Sequence, residues 1–523
     1  MKRHTTVREA VFGLFRGFGL KTVFGNPGST ELPMFRDFPE DFRYTLALQE
    51  SIAVGMADGY AQVTRNAALV SLHSAGGLGH ALGNVFTAYR NQTPLVIVAG
   101  QQARSMLPME PFLYAKDAIE FPKPYVKWAC ESARAEDVPA AIARAYYVAM
   151  QAPCGPTFVS IPVDDWDREC EPLAARTVSR SIHGEPELLQ ECAAALNHAT
   201  NPVIVVGASV ARSGAWAETI ALAEKHRAPV WASPMSSRSS FPENHALFAG
   251  FLPPVRERIV KHLASHDFVL VLGAPVFLYH VEGTGPVIPA DATLFQLTDD
   301  PSMAAWTPVG TSIVTDLKSG IVELLQHAKP RERSAPVVRP RASRLPRTHL
   351  TDAYLMQQIA THRPPGSIVV EEAPSTRPAM RAHLSINEPE TFYTNASGGL
   401  GHGLPAAIGV AMGRPGEKVI AILGDGSSLY SIQGLWSAAQ NQLPIAFIIV
   451  KNGGYEALRE FGQHFGLAQL PGIAVPQIDF CGLARSQGVH AVSVTDVERL
   501  DDALLAAFRS GGPMLVEVEV QAS

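Results

Sequence analysis

Two oxygen-bearing side chains, Asp425 and Asn452, follow two consecutive apolar runs in the C-terminal third of the chain. The runs, at 419–423 and 445–450, predict buried strands with a helix between them that begins near Leu429. Both strands of a parallel βαβ unit end at the same edge of the sheet, so the two side chains are expected to lie close together. Carboxylate and amide oxygens suit Mg2+ carrying a diphosphate, and the helix offers its N-terminus to the same anion.

The spacing of this pair favours a specific site over an ordinary turn, because 26 residues lie between Asp425 and Asn452. A Gly-Asp-Gly turn followed at this distance by an asparagine resembles the diphosphate-binding motif of thiamine-diphosphate (ThDP) enzymes. The resemblance implies that Mg2+, for which Ca2+ can substitute, is held by Asp425, Asn452 and the carbonyl oxygen of Gly454. Lys451 departs from the family, which usually has a second asparagine there. The implied cofactor contacts at this motif are Gly424, Asp425, Gly426, Ser427, Asn452 and Tyr455.

The composition is that of a globular chain with ample apolar residues for a core. Its 523 residues predict about three domains at ~150 residues each, with 46% hydrophobic and 18% charged residues. A net charge of −6 gives no reason to expect nucleic acid as a partner, and no apolar run approaches the ~20 residues of a membrane span. The five cysteines lack any C-x-x-C pair, which favours a reduced, cytoplasmic protein. Thr6 and Glu9 form a capping-box pattern before an amphipathic helix, which argues against a signal peptide.

Apolar runs that alternate with helical patterns predict an α/β protein of three consecutive doubly wound parallel-sheet domains. The predicted units span 1–182, 183–328 and 350–523, and the basic, proline-rich stretch at 329–349 is interpreted as a surface linker. The second unit has no G-x-G-x-x-G after its first strand, so nothing favours NAD or FAD there. Three such units in series resemble the ThDP decarboxylases, in which pyrimidine-binding (PYR), middle Rossmann-like and diphosphate-binding (PP) domains follow one another.

Glu50 follows a predicted strand and precedes an Ala/Gly-rich helix. A glutamate there is most often a charge that interacts with the helix dipole. However, the pattern at 48–50 and 57–61 resembles the sequence around the one indispensable acid of the ThDP family. The resemblance implies that Glu50 shares a proton with the pyrimidine ring of the cofactor, a task that suits a glutamate in a dry pocket. In the family this acid comes from the partner subunit, so at least a homodimer is expected, and a tetramer within the same resemblance.

Two histidines, His73 and His280, each follow a predicted strand. A lone histidine at such a place is more often structural. The glycine-rich turn after His73 leaves room for a ligand, which weakens that interpretation. The local sequence offers no structural reason for His280. Both are therefore candidates for a functional site.

A collinear set of matches narrows the resemblance to the benzoylformate decarboxylases among the ThDP-dependent 2-keto acid decarboxylases. The resemblance implies that His73 and His280 move protons around the substrate and that Ser29 binds its carboxylate. Pyruvate-decarboxylase-type relatives instead have two adjacent histidines in the first domain, whereas Ser74 follows His73 here. Leu400 would hold ThDP in its bent form. The matches are GNPGS (25–29), LALQE (46–50), LHSAGG (72–77), GAPVF-YH (273–280) and GGLG (398–401). The further implied cofactor contacts are Asn26, Pro27, Gly28, Gly398 and Leu400.

The implied reaction is ThDP- and Mg2+-dependent, non-oxidative decarboxylation of an aromatic or apolar 2-keto acid to the aldehyde and CO2. The cofactor accepts electrons as CO2 leaves, and histidines that titrate near neutrality suit the proton transfers. Thr394 stands in place of an aromatic residue and Pro374 in place of a threonine, so a polar ring substituent could reach toward Thr394 or His402. The implied pocket residues are Phe112, Leu113, Pro374, Thr394, Ala457, Leu458, Phe461 and Ile473.

Other functions share parts of this pattern. A ThDP carboligase or synthase of the acetolactate-synthase type shares Glu50, Asp425 and Asn452 but has no use for His73 and His280. A decarboxylase of a branched or otherwise substituted 2-keto acid would differ only in its pocket. A catalytically inactive ThDP-fold binding protein would not need Glu50 or the histidines. A nicotinamide dehydrogenase would need the dinucleotide fingerprint that the second unit lacks.

Overall fold

The structure is a computed structural model that describes residues 5–334, 336, 338–340, 342–467, 469–475 and 477–521. Residues 335, 337 and 341 of the predicted linker, and the extreme ends of the first and last predicted domains, lie outside the described residues. The chain divides into two compact units. The first comprises Met1–Val178, Leu345–His383 and Ser397–Ser523, and the second comprises Ser179–Arg344 and Leu384–Ala396.

The N-terminal sheet is built from six parallel strands in the order β3-β2-β4-β5-β7-β6. Its strands are β2 (Thr22–Gly25), β3 (Arg43–Leu46), β4 (Ala68–Leu72), β5 (Leu95–Gln101), β6 (Ala129–Glu131) and β7 (Pro156–Pro162). A short antiparallel pair joins β1 (Thr5–Thr6) and β8 (Glu169–Cys170). The helices are α1 (Val7–Phe18), α2 (Glu50–Thr64), α3 (Ser74–Asn91) and α4 (Val138–Met150). The predicted capping box at the start of α1 is confirmed, since Thr6 and Glu9 exchange both hydrogen bonds.

The middle sheet also has six parallel strands, in the order β11-β10-β9-β12-β13-β14. Its strands are β9 (Pro202–Val206), β10 (Val230–Ala232), β11 (Phe248–Phe251), β12 (Phe268–Leu272), β13 (Thr293–Thr298) and β14 (Thr311–Val314). The helices are α5 (Pro186–His198), α6 (Ala208–Arg212), α7 (Trp216–His226), α8 (Arg256–Leu263), α9 (Pro301–Trp306) and α10 (Leu317–Gln326). Arg333, within the predicted surface linker, is buried, and its guanidinium donates to the carbonyl oxygens of Leu196, Ala199 and His226 at 2.7–3.2 Å. At this residue the interpretation as an exposed linker is wrong.

The third sheet has the strand order β16-β15-β17-β18-β20-β19. Its strands are β15 (Ile368–Glu372), β16 (Phe392–Thr394), β17 (Val419–Gly424), β18 (Ile445–Lys451), β19 (His490–Val494) and β20 (Met514–Glu519). The helices are α11 (Asp352–His362), α12 (Arg377–His383), α13 (Gly403–Gly413), α14 (Asp425–Ser428), α15 (Gly434–Gln440), α16 (Glu456–His464), α17 (Phe480–Ser486) and α18 (Val497–Arg509). Short 3-10 turns cover Leu32–Phe35, Leu107–Met109, Ala135–Asp137 and Pro374–Thr376. Three six-stranded parallel sheets confirm the predicted fold class.

The helix predicted to begin near Leu429 is wrong in its start. The chain makes one helical turn, α14, directly after β17, and α15 begins only at Gly434. The hydroxyl groups of Ser427 and Ser428 donate to the carbonyl oxygen of Gly424 at 3.1 and 2.6 Å. Serine hydroxyls that bond nearby backbone carbonyls compete with regular helix, which explains the early, short turn.

Small residues let α2 and α13 approach closely within the first unit. A Cβ atom added to Gly409 would lie 1.9 Å from the carbonyl oxygen of Met56, and one added to Gly59 would lie 2.2 Å from that of Ala406. Only glycine permits this backbone approach. The contact fixes the axis of α2, the helix that begins at Glu50. Within the described residues, the helices are all too short or too polar to cross a membrane.

Candidate active site

The predicted residues of the first unit lie where two sheets reverse their strand order. In the N-terminal sheet the reversal falls between β2 and β4, and in the third sheet it falls between β15 and β17. Open α/β sheets bind ligands in the crevice at such points, beyond the carboxyl ends of the strands. Segment 26–29 follows β2 and His73 follows β4, whereas Asp425 follows β17. Both crevices therefore carry residues that the sequence marked.

Asp425 contacts the loop after β18, as the sequence predicts. Gly424 of β17 pairs in register with Val450 of β18, and the amide of Gly453 donates to Asp425 Oδ2 at 2.8 Å. The amide of Gly426 donates to the other carboxylate oxygen at 2.7 Å. Burial raises the pKa of Asp425, and the surrounding backbone amides oppose that rise. A cation beside this buried carboxylate would offset the cost of its charge.

The loop that carries Asn452 is held on both sides. Asn452 Nδ2 donates to the hydroxyl of Ser375 at 3.3 Å, and the amide of Gly454 donates to Asn452 Oδ1 at 3.2 Å. Gly454 also forms an antiparallel bridge with Ala474. These contacts fix the amide oxygen and the Gly454 backbone beside Asp425. The contact between Ser375 and this loop could not be predicted from the sequence.

Glycine at position 426 is a spatial requirement of the turn. A Cβ atom there would lie 2.4 Å from the ring of Tyr455, which closes over the turn. Ser427, next along, is buried, and its hydroxyl donates to the carbonyl oxygen of Glu372 at 2.8 Å. The Gly-Asp-Gly turn is thus packed against Tyr455 and tied to the end of β15.

Lys451 has a structural explanation on the neighbouring strand. Its ammonium lies 3.3 Å from Oε1 of Glu517, a buried residue of β20. Glu517 also accepts hydrogen bonds from the Ser493 hydroxyl at 2.8 Å and from the Phe480 amide at 3.2 Å. The amide of Val520 donates to the Lys451 carbonyl oxygen at 3.0 Å. Lys451 therefore anchors the end of β18, directly before the Asn452 loop.

Glu372, at the end of β15, is a buried carboxylate that the sequence analysis did not single out. Its Oε1 accepts the amide of Gly401 at 2.6 Å, and its Oε2 accepts the amide of Gly403. Burial raises its pKa to about 7, although the two amides and the charge of His402 oppose that rise. Glu371 and Glu372 end an otherwise apolar strand, and this pair is the sequence feature that could have marked Glu372 as a candidate.

His402 uses one of its two ring nitrogens in a buried ion pair. It is buried, and its Nε2 pairs with Oδ2 of Asp58, a buried residue of α2. Burial favours the neutral forms, but the mutual attraction prevails: the pKa of Asp58 is lowered and that of His402 is raised. Nδ1 of His402 is buried and has no hydrogen-bond partner among the described residues, so the hypothesis that a ring substituent reaches toward His402 stays a prediction.

His73 is oriented by a buried carboxylate. Its Nδ1 lies 2.9 Å from Oε2 of Glu31, and the same oxygen accepts the amide of Gly28 at 2.9 Å. The other oxygen of Glu31 accepts the amide of Gly100 at 2.9 Å and the hydroxyl of Thr30 at 2.6 Å. A carboxylate on Nδ1 fixes the ring orientation and leaves Nε2 as the nitrogen for proton transfer. Sequence reasoning missed Glu31, which carries no motif.

Gly28 and Gly77 make room at this corner. A Cβ atom on Gly28 would lie 2.0 Å from Nδ1 of His73, so the backbone runs directly over the ring. A Cβ atom on Gly77 would lie 3.2 Å from Oε1 of Glu50 and 3.4 Å from Cβ of His73. The structure therefore brings Glu50 and His73 to the same corner. Glu50 begins α2, and its Oε2 lies 3.2 Å from Nδ1 of His80.

The other first-unit candidates of the N-terminal sheet border the same corner. The Ser74 hydroxyl donates to the Leu113 carbonyl oxygen at 2.8 Å, which ties the loop of Phe112 and Leu113 to the residue after His73. Phe112 is 86% exposed, so its ring is left uncovered by the described chain. Ser29 is exposed, and Asn26 Nδ2 donates to the Ala47 carbonyl oxygen at 2.9 Å. Pro27 is exposed as well.

The first-unit candidates of the third sheet are spread along its carboxyl edge. Ala457, Leu458 and Phe461 lie on α16, and Leu458 is 50% exposed. Ile473 accepts the amide of Tyr455 at 2.8 Å, which folds its segment against the start of that helix. Pro374, exposed, opens the 3-10 turn after β15, and Gly398 and Leu400 precede α13.

His280 and Thr394 belong to the second unit. His280 is exposed, and its amide donates to the carbonyl oxygen of Pro254 at 2.9 Å. Thr394 is buried in β16, and its amide donates to the carbonyl oxygen of Ser237 at 3.0 Å. The roles assigned to these two residues remain predictions.

Comparisons with known proteins agree with this geometry. Family models of thiamine pyrophosphate enzymes match residues 5–120 (N-terminal TPP binding domain), 189–324 (central domain) and 375–518 (C-terminal TPP binding domain). The chain is 44% identical to benzoylformate decarboxylase from Pseudomonas aeruginosa, over 99% of both chains.

Two solved structures are similar over almost their whole length. One is benzoylformate decarboxylase from Polynucleobacter necessarius, with TM-score 0.97 and 40% identity, covering 99% of this chain and 98% of that one. The other is the ThDP-dependent 4-hydroxybenzoylformate decarboxylase of Rhodococcus jostii, with TM-score 0.96 and 41% identity, covering 99% and 100%.

Proposed function

The chain belongs to the thiamine pyrophosphate enzymes as a carboxy-lyase similar to benzoylformate decarboxylase, and we propose that its substrate is an aromatic 2-keto acid. The reaction is non-oxidative decarboxylation to the aldehyde and CO2, with Mg2+ as the metal. The observation that carries the proposal is the corner at which Gly77 separates Glu50 from His73, whose ring is oriented by Glu31. A carbon–carbon lyase needs an acid for the cofactor and a proton carrier for the substrate, and this corner supplies both.

The residues of the Gly-Asp-Gly turn fit the cofactor and its metal. Asp425, Asn452 and the Gly454 carbonyl oxygen would hold Mg2+, since all three offer hard oxygen atoms on one loop pair. Burial makes the Asp425 carboxylate costly without a cation, which favours the divalent ion. When bound, ThDP supplies the electron sink that lets the bond to the carboxylate break.

The side chains of the chain itself then divide the proton transfers. Glu50, largely buried at the start of α2, shares a proton with the pyrimidine ring. His73 presents Nε2, because Glu31 occupies Nδ1. Ser29, exposed after β2, binds the substrate carboxylate through its hydroxyl. His280 keeps its proposed role as the second proton carrier.

The proposal includes an oligomer. We expect at least a homodimer, and the family resemblance favours a tetramer. Phe112 and Leu458, both predicted pocket residues, expose 86% and 50% of their surface. Large apolar side chains left open beside a site mark a surface that a partner covers.

The five cysteines are free thiols, which supports a reduced cytoplasmic location.

The apolar walls favour an aromatic ring, and substituted rings remain candidates. Phe112, Leu113, Leu458, Phe461 and Ile473 are apolar or aromatic. One of the similar solved structures is a 4-hydroxybenzoylformate decarboxylase, so the hydroxylated ring belongs in the test. Asp58 occupies Nε2 of His402 and leaves its Nδ1 unbonded, so Thr394 and His402 both stay proposed partners of a polar substituent.

A steady-state panel tests the proposal. Benzoylformate, 4-hydroxybenzoylformate, phenylpyruvate, a branched aliphatic 2-keto acid and pyruvate are compared with ThDP and Mg2+ present, then with each omitted. We expect the highest kcat/KM with an aryl glyoxylate, free aldehyde as the main product, and no turnover without ThDP or divalent metal. Preference for pyruvate would refute the substrate class. An acyloin as the main product would favour the carboligase instead.

A further inference from the structure

Glu372 bridges two backbone amides of one short segment. Its carboxylate is buried at the end of β15, with Oε1 on the amide of Gly401 at 2.6 Å and Oε2 on the amide of Gly403. Hydrogen bonds are directional, so two of them from residues two apart to the two oxygens of one buried carboxyl group fix the course of the segment. That segment follows Leu400 and leads into α13.

The same residue is bonded to the Gly-Asp-Gly turn through its backbone. The Ser427 hydroxyl donates to the Glu372 carbonyl oxygen at 2.8 Å. Gly403 packs closely against Glu372, because a Cβ atom at position 403 would lie 2.6 Å from Cβ of Glu372. Glu372 therefore contacts both the turn that carries Asp425 and the segment that follows Leu400.

A second buried carboxylate holds the segment from its other side. His402 lies between the two glycines, and its Nε2 pairs with Asp58 of α2. Asp58 is itself held by the side-chain amides of Gln62 at 2.8 Å and Asn91 at 3.1 Å. The segment is thus fixed between β15 and α2, so a change at Glu372 acts on a piece of backbone that cannot easily relax.

We propose that Glu372 is a positioning residue that aligns segment 400–403 with the Gly-Asp-Gly turn. The inference rests on the proposed function, in which these two segments contact different parts of ThDP. Glu371 shows what a purely structural carboxylate does here. It is equally buried but bonds the amide of Ala373 at 2.7 Å and the guanidinium of Arg377 at 2.8 Å, both close in sequence. Successive strand residues face opposite sides of the sheet, which makes Glu371 a matched control.

The test compares Glu372→Gln with Glu371→Gln, first in the protein without cofactor. A glutamine keeps one acceptor oxygen and turns an N–H group toward the second amide. We expect faster amide hydrogen exchange in segment 399–404 of Glu372→Gln, measured by mass spectrometry. Glu371→Gln should keep the wild-type exchange rate in that segment, even if its melting temperature falls.

The second measurement is the dissociation constant of ThDP in the presence of MgCl2, by titration calorimetry. The substitution leaves one buried amide without its acceptor, which predicts about 10- to 100-fold weaker binding for Glu372→Gln. Glu371→Gln should bind within about twofold of wild type. Wild-type exchange and wild-type ThDP binding in Glu372→Gln would overturn the inference.

The two proposals can fail separately. If the wild-type protein does not bind ThDP, the proposed function fails, and the exchange measurement still decides whether Glu372 orders the segment. If Glu372→Gln does not fold, Glu372→Asp is measured in the same way. Its side chain is too short to reach both amides, so it should show the same two changes, and wild-type values would again overturn the inference.

Discussion

The orientation of His73 by Glu31 predicts a large effect from a single-atom change, Glu31→Gln. Oε1 of Glu31 accepts from Thr30 and Gly100, while Oε2 accepts from Gly28 and lies 2.9 Å from Nδ1 of His73. An amide has only one oxygen, so one of these two sets must face an N–H group. Each set contains one backbone amide that cannot rotate, Gly100 on Oε1 and Gly28 on Oε2, so either orientation leaves one amide facing an N–H group. When the new N–H group faces Nδ1 of His73, the ring exchanges its tautomer and Nε2 loses its proton-accepting form.

The size of the effect follows from the bond that is lost. A hydrogen bond to a charged partner contributes about 1.5–3 kcal/mol, and 1.4 kcal/mol is a factor of ten in rate. Glu31→Gln should therefore lower kcat about 10- to 100-fold, with KM within about threefold because the apolar walls are unchanged. Burial of an imperfectly paired amide should also lower the melting temperature by a few degrees.

Steady-state kinetics with the best substrate of the panel, at saturating ThDP and Mg2+, measure both constants. Glu224→Gln is the matched control, because Glu224 pairs with His245 at 3.2 Å in the second unit. That variant removes the same kind of pair away from the predicted site residues and should keep wild-type kcat. A kcat for Glu31→Gln within twofold of wild type would refute the role given to Glu31.

Three further predictions concern Lys451 and Asp425 of the third sheet and His226 of the middle domain. Lys451→Asn, which introduces the residue usual in the family, leaves buried Glu517 without its ammonium partner and should lower the free energy of unfolding by about 1–2 kcal/mol in urea titrations. Asp425→Asn should abolish Mg2+-dependent ThDP binding in calorimetry while the apo protein stays folded by circular dichroism. Burial, with the nearby charge of Arg333, lowers the pKa of His226 to about 4. The unfolded chain then binds more protons between about pH 4 and 6.5, so stability falls as pH drops through that window, and His226→Phe should lose this part of the pH dependence.

The sequence was sufficient to predict the backbone around the site. Apolar runs predicted β17 and β18, and parallel pairing then required Asp425 to meet the Asn452 loop, which Gly453 confirms. The alternation of strands and helices likewise predicted three parallel sheets. The start of α15 was predicted wrongly, because the spacing of apolar residues does not reveal that two serine hydroxyls bond the Gly424 carbonyl oxygen.

The residues that could not be predicted are those that act through backbone amides of distant segments. Glu31 bonds Gly28 and Gly100, and Glu372 bonds Gly401 and Gly403. A glutamate that accepts backbone N–H groups needs no partner side chain, so no second residue type marks it in the sequence. His402 illustrates a related case, since the sequence carries no sign that Asp58, 344 residues away, pairs with its Nε2.

The two supporting carboxylates, Glu31 and Glu372, are separate from the proposed substrate-pocket residues, so the pocket residues can differ without a change in either support. Glu31 fixes the ring of His73, and Glu372 fixes the segment after Leu400, through groups that every residue possesses. Substitutions at Thr394 or Pro374 change what a substrate meets without touching either support. The proposed function therefore assigns reaction type and substrate choice to separate sets of residues. Exchange of the wall residues should move kcat/KM among 2-keto acids, whereas exchange of Glu31 should lower turnover for all of them alike.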